Sequence, residues 1–245
     1  MSNKDSATEQ PKKGRAASIG LTKERVVSAA LKQIDDEGLA KFSIRKLASQ
    51  LGVSTAVIYW HVGGKQEDLF SEISAAITTA LTDGIDESSD WQTRLRSIFR
   101  RYRKLVHQHP NVSPLLGAQM KSNGVANLIW VEAVLSSLNE AGFSGETLKS
   151  AFNSLIGGLS GFVTMELAPA PAEKNDAWHK TFAQRLNEID PTEYPLTHAA
   201  LPLISNQVFV LRWQNGVDVS YDSSFELLLD LLIDGLAYRA QQLKK

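Results

Sequence analysis

FSIRKLASQLGVSTAVIYWHVGGKQEDL, residues Phe42 to Leu69, reads as two short helices joined by a glycine turn and followed by the start of a third. Ser43 is placed to cap a helix whose apolar face is Ile44, Leu47, Ala48 and Leu51. Gly52 supplies the turn, Val53 plugs the angle between the helices, and Ser54 caps a helix running to about Trp60. Val57 and Ile58 would anchor that helix near Leu47, Leu51 and Val53, leaving Thr55, Ala56 and Tyr59 facing outward. A helix held out in this way, with a small or polar tip, fits the DNA major groove. There Thr55 can hydrogen-bond a base edge and Ala56 can pack on a thymine methyl, while Arg45, Tyr59, His61 and Lys65 hold phosphates. Helix pairs with a glycine turn also occur as plain structural corners, so spacing alone leaves both readings open. Trp60 is expected mostly in the core and Tyr59 mostly toward DNA.

Outward from this stretch the pattern stays helical. Thr22 opens a helix with Val26, Val27, Ala30, Leu31 and Ile34 on one face, which Gly38 ends as a left-handed residue. A fourth helix is expected from about Lys65 to Leu81, with Leu69, Phe70, Ile73, Ala76, Ile77 and Ala80 as its apolar positions, and then a loop over Asp83–Asp90. Further helices are expected near 91–109, 113–121, 124–141, 145–168, 175–189, 196–211 and 222–242, interrupted by a proline-rich linker at Ala168–Glu173 and by the prolines of residues 190–202. No alternating run bounded by hairpin turns suggests a strand. The expected fold is all-α: a polar, basic arm over residues 1–20, a three-helix helix-turn-helix domain over 21–67, and a helical effector-binding and dimerisation domain over 68–245.

Composition narrows the function classes. The chain has no cysteine, which excludes disulfides, thiol catalysis and cysteine-ligated zinc and fits a reducing cytoplasm. No apolar run approaches the ~18 residues a membrane span needs, and residues 1–20 lack the apolar core of a signal peptide, so a soluble cytoplasmic protein without a membrane partner is expected. The net charge of −1 hides an asymmetry: residues 1–65 carry 11 Lys and Arg against 6 Asp and Glu, the remainder 15 against 21. A basic first quarter on an acidic remainder suits a polyanionic partner for that quarter only. An all-α enzyme is the rival class, but no phosphate-cradling glycine loop, GxSxG elbow or HExxH pair is present, and no cofactor is expected.

The remaining residues suggest pairing and sensing. In the last helix Phe225, Leu228, Leu229, Leu232 and Leu236 belong to an apolar surface wider than one core-facing stripe, so the helix needs a second partner, another copy of the chain. Gly157 and Gly161 in the helix near 145–168 permit close approach to it. A pocket for a small, mostly apolar effector is expected among Phe99, Tyr102, Met120, Trp130, Phe152, Leu155 and Phe162, with His107, Asn127 and Glu166 as orienting polar groups; these residues also read as ordinary core. His107, His109 and Glu166 are the one set to weigh for a metal, and without a close-spaced ligand motif no metal is expected.

The pattern Arg45-Lys46-Leu47-Ala48, Leu51-Gly52-Val53-Ser54, Ile58-Tyr59-Trp60-His61-Val62, then Lys65 and Leu69, resembles the DNA-binding domain of the tetracycline-repressor (TetR) family of transcriptional regulators. The resemblance is specific over residues 22–70. It implies that Arg45, Thr55, Ala56, Tyr59, His61 and Lys65 contact a double-stranded DNA operator, and that two C-terminal helices form a four-helix homodimer interface. It also implies a repressor released from a palindromic operator by an effector; a helical DNA-binding factor without an effector is the alternative. Gly63 and Gly64 stand where larger polar residues often sit in the family. The magnesium–tetracycline site of the tetracycline repressors needs a histidine on the fourth helix, and Gln66 to Val106 contains none, so the effector is expected to be a different molecule.

Overall fold

The computed structural model describes residues 20–116, 128–169 and 176–244, and among them every regular element is a helix. The expectations for residues 1–19, Met120 and Asn127 lie outside the described residues. Helix α1 (Lys23–Glu37) begins where Thr22 Oγ1 accepts the Arg25 N–H at 3.2 Å and buries Val26, Val27, Ala30 and Ile34. Gly38 ends it with positive φ, but its ψ of 151° is extended rather than left-handed. The chain therefore leaves α1 directly into a tight turn over Leu39–Lys41. Helix α2 (Ile44–Leu51) is capped by Ser43 and closed by Gly52 at φ 67°, ψ 29°, a conformation that costs a side-chain-bearing residue steric strain. Helix α3 (Thr55–Val62) follows after Gly52, Val53 and Ser54, and Gly63 and Gly64 both donate their N–H groups to Tyr59 O.

Helix α4 (Gln66–Thr78) starts at a cap of its own, in which Asp68 Oδ2 accepts the Lys65 N–H at 3.0 Å. It tightens into a 3₁₀ turn over Thr79–Thr82, short of the expected Leu81 as regular helix. The Thr78 and Thr79 hydroxyls bond back to Ser74 O and Ala75 O there, competing with the helical ladder. Helices α5 (Trp91–Gln108) and α6 (Ser113–Leu116) follow, and then α7 (Ile129–Ala141) and α8 (Gly145–Leu167). Helices α9 (Asp176–Asn187), α10 (Pro195–Ile204) and α11 (Asp222–Leu243) complete the chain. Helix α10 stops well before the expected residue 211. Asn206, the one non-glycine residue with positive φ among those described, closes a loop there, its Oδ1 accepting the Trp213 and Gln214 N–H groups at 2.9 and 3.0 Å.

One contiguous apolar cluster joins α1 to α8 with α11. It joins Val26, Leu47 and Ile58 of the N-terminal helices to Leu69, Ile73 and Ile77 of α4, and continues through Ile98 and Leu155 to Phe225 and Leu229. Helix α4 thus belongs to the packing of both halves, and the boundary expected at residues 67–68 falls at its start rather than at a gap in the core.

Candidate DNA-binding surface and regulatory core

On α3 only Ile58 and Val62 are buried. Ile58 is fully enclosed and Val57 is half-buried against the same cluster, so the helix is pinned along one side. Ala56 is exposed, while Thr55, Tyr59 and His61 are half-exposed. Trp60, expected in the core, is 80% exposed, with its ring edge-on to His61 at 4.8 Å. Position 60 falls two residues after Ile58, on the opposite side of a 3.6-residue turn, so burying Ile58 turns residue 60 away from the core. Two of the neighbouring lysines are engaged, Lys46 with Glu37 and Lys23 with Glu72 at 2.9 Å. Arg45 and Lys65 are exposed and have no ion-pair partner among the described residues. The six expected DNA contacts therefore all reach solvent, spread over α2, α3 and the turn into α4.

In the C-terminal half the expected effector residues among those described are buried or half-buried. Phe99, Tyr102 and Leu155 are buried in the common core; Phe162 packs edge-on to Phe225, with ring centroids 5.7 Å apart. Trp130 stacks with Phe152 at 6.4 Å. Burial pushes the Tyr102 hydroxyl's pKa up, against a smaller opposing influence of Ser160. A cleft of about 350 Å³ between α5 and the start of α11 takes in His107 alone of the expected set.

Glu166 is not a free orienting group. Its carboxylate is fully enclosed and receives two bonds from Arg103, Nε to Oε2 at 3.0 Å and Nη2 to Oε1 at 2.7 Å. His107 Nε2 lies 3.2 Å from Oε1. Arg103 also meets Asp222 at 2.7 Å, and its guanidinium sits 4.9 Å above the Phe225 ring. Desolvation alone would raise the Glu166 pKa; the contacts with His107 and Arg103 outweigh it and hold the pKa below the usual carboxylate range. At the same helix end Arg212 donates to Met165 O, Glu166 O and Ala168 O at 2.9, 3.1 and 3.1 Å, satisfying carbonyls that α8 leaves open. A Cβ on Gly216 would lie 2.3 Å from Glu166 Cγ, so only glycine lets this loop close over the carboxylate. Sequence reasoning missed Arg103 and Arg212. The signal for the first was legible, since Arg100, Arg103, Lys104 and His107 share one face of α5 at helical spacing.

His109 turns away from Glu166 and pairs with Asp35 of α1, Nδ1 to Oδ2 at 2.8 Å, so the histidines weighed for a metal serve two separate contacts. Asn111 Nδ2 donates to Asp35 O at 2.9 Å beside it.

The expected dimer residues divide. Phe225, Leu229 and Leu236 are buried in the protomer's own core, and Leu228 and Leu232 are half-buried against it. The uncovered stripe of α11 is instead Leu227, Leu231 and Tyr238, 61%, 63% and 60% exposed. On α8 Gly157 and Met165 are exposed and Gly161 is half-exposed.

A family model for the "Tetracyclin repressor-like, C-terminal domain" matches residues 84–240, and one for "Bacterial regulatory proteins, tetR family" matches residues 26–73. The chain belongs to the tetracycline-repressor family. Members of this family are transcriptional regulators, not enzymes. An HTH-type transcriptional regulator of Saccharopolyspora erythraea is 26% identical over 155 residues, covering 62% of this chain and 65% of its own length, so the chain spans less than two-thirds of that relative. The tetracycline repressor protein class A from transposon 1721 in Escherichia coli is 26% identical over 224 residues, 89% of this chain and 92% of its own. Among solved structures, the Streptomyces coelicolor protein ActR in complex with actinorhodin superposes with a TM-score of 0.68 at 24% identity, covering 90% of this chain and 98% of ActR. At that identity the likeness carries the fold, and the tetracycline-repressor architecture accounts for the whole succession of helices described above.

Proposed function

We propose that the chain is a homodimeric transcriptional repressor acting in the bacterial cytoplasm, reading a palindromic operator with α3 of each copy and releasing it when a small molecule occupies the C-terminal half. The observation that carries this reading is α3 itself, anchored by Ile58 and Val62 with Ala56 and Trp60 exposed, between the cations Arg45 and Lys65, which have no ion-pair partner among the described residues. A helix so short buries little DNA, so two copies on half-sites about 34–36 Å apart are needed for useful affinity. The exposed Leu227–Leu231–Tyr238 stripe of α11, with the small residues of α8, supplies a self-complementary face for that pairing. The complex of ActR with actinorhodin supports a small-molecule effector, worth roughly 5–150-fold in DNA affinity in such coupled systems.

Selection from random duplexes followed by footprinting tests the reading: a two-fold symmetric site is expected, and retention of all sequences alike would overturn it. On the selected site Lys65→Ala should weaken binding to every sequence and reduce the salt slope by about one unit. Thr55→Ala should instead relax preference at one base pair. Equal losses on cognate and random DNA would remove Thr55 from base reading.

A further inference from the structure

A cavity of about 540 Å³ opens beside the end of α4, walled by the 3₁₀ turn and loop after α4, the first half of α5, and α7. It lies away from the Glu166 cluster and takes in none of the residues expected for the effector. Its volume falls in the range that encloses a small organic molecule. The apolar part of its wall is Ile85, Ile98, Ala133 and Ile129, and it reaches inward as far as Ile98, which is 1% exposed.

The charges on the wall are one-sided. Among the described residues Arg94 is its single cation, and that guanidinium is engaged by Glu140, by the carbonyls of Glu87 and Ser89, and by Ser137 Oγ at 3.5 Å. Glu140 is thereby neutralised. The carboxylates of Glu87 and Glu132 face the same space and have no ion-pair partner among the described residues. A molecule filling this space meets isoleucine side chains and two exposed carboxylates that have no ion-pair partner among the described residues. An anionic occupant would be repelled and a cationic one attracted.

We infer that this cavity is a binding site for lipophilic organic cations. The inference deepens the repressor reading, because Thr82 and Ile85 of the wall stand directly after α4, at a turn that Arg101 Nη1 grips through Leu81 O at 3.3 Å and Asp83 O. Occupancy bears on the far end of the helix that leads out of the DNA-reading module.

Tetraphenylphosphonium and tetraphenylborate, ions of one shape and opposite charge, test it by calorimetry on the full chain without DNA. The phosphonium is expected to bind saturably, one per protomer, and the borate not to bind at this site. Glu132→Gln should weaken the phosphonium about two- to fivefold, the worth of one solvent-exposed unit charge. Ser136→Trp, which fills the cavity without changing its charge, should abolish binding. Both substitutions are at exposed positions, and unchanged thermal unfolding in the absence of ligand verifies the fold. Equal binding of the two ions, indifference to either substitution, or no binding of the phosphonium would each overturn the inference. Since no DNA enters the measurement, its failure leaves the operator experiment untouched, and failure of that experiment leaves this one readable.

Discussion

Trp60 and Ile58 stand two residues apart on α3, and their surroundings are opposite. Ile58 fills the angle among α1, α2 and α3 with no exposed surface, whereas Trp60 projects into solvent. Ile58→Ala should therefore cost about 2–5 kcal/mol of stability, the transfer of the removed methyl groups plus the hole they leave. Trp60→Ala should change stability by no more than about 0.5 kcal/mol, as for surface positions generally. Urea titration of both variants checks the pair, and a large loss for Trp60→Ala would mean the indole is covered after all. Glu166 sets a different test. Its pKa is depressed below 4.5, because the contacts from His107 and Arg103 outweigh the desolvation that would raise it. The stability from a depressed carboxylate is fully present above its unfolded pKa and is lost as pH falls through the folded one. Glu166→Gln should lower stability at neutral pH and flatten the acid limb of the stability profile below about pH 4.5. Parallel acid limbs in the two proteins would show that folding does not depress the Glu166 pKa.

At the scale of single elements, caps and periodicity made most of the helices legible. Ser43 and Gly52 bound α2 as local chemistry requires, Ser54 stands at the N-cap of α3 without a side-chain bond, and the period of α1 named its buried face. Gly52 holds φ 67° with open space around it, so Gly52→Ala isolates backbone strain from packing. It should cost about 1–2 kcal/mol, read as a lower urea midpoint at unchanged slope. A neutral result would mean the turn can move to another conformation without disturbing α3. Where elements end was less legible. Helix α10 tolerates Pro202 near its end and then gives way to a loop shaped by Asn206, which bonds backbone groups seven and eight residues ahead. No pattern of hydrophobicity announces such a loop.

At the scale of the whole molecule, α11 has two sides with different neighbours, and the two predictions for it separate them. Leu229→Ala should destabilise the protomer by about 2–5 kcal/mol, because the residue lies wholly in the protomer's core. Leu231→Lys should leave each protomer folded and shift the chain from dimer to monomer, as sedimentation would report. If Leu231→Lys stays dimeric, pairing uses another face. The sequence by itself determined the all-helical class and the helix-turn-helix, though not the outward turn of Trp60, because these rest on local periodicity, turns and caps. It could not say which side of α11 faces its own core, since a helix apolar on two sides satisfies the pattern with either one inward. It could not show that Glu166 is bound by Arg103, 63 residues earlier in the chain, or that Arg212 closes the end of α8. Those contacts join residues far apart along the chain, and only the packing of α5, α8 and the loop before α11 brings them within bonding distance.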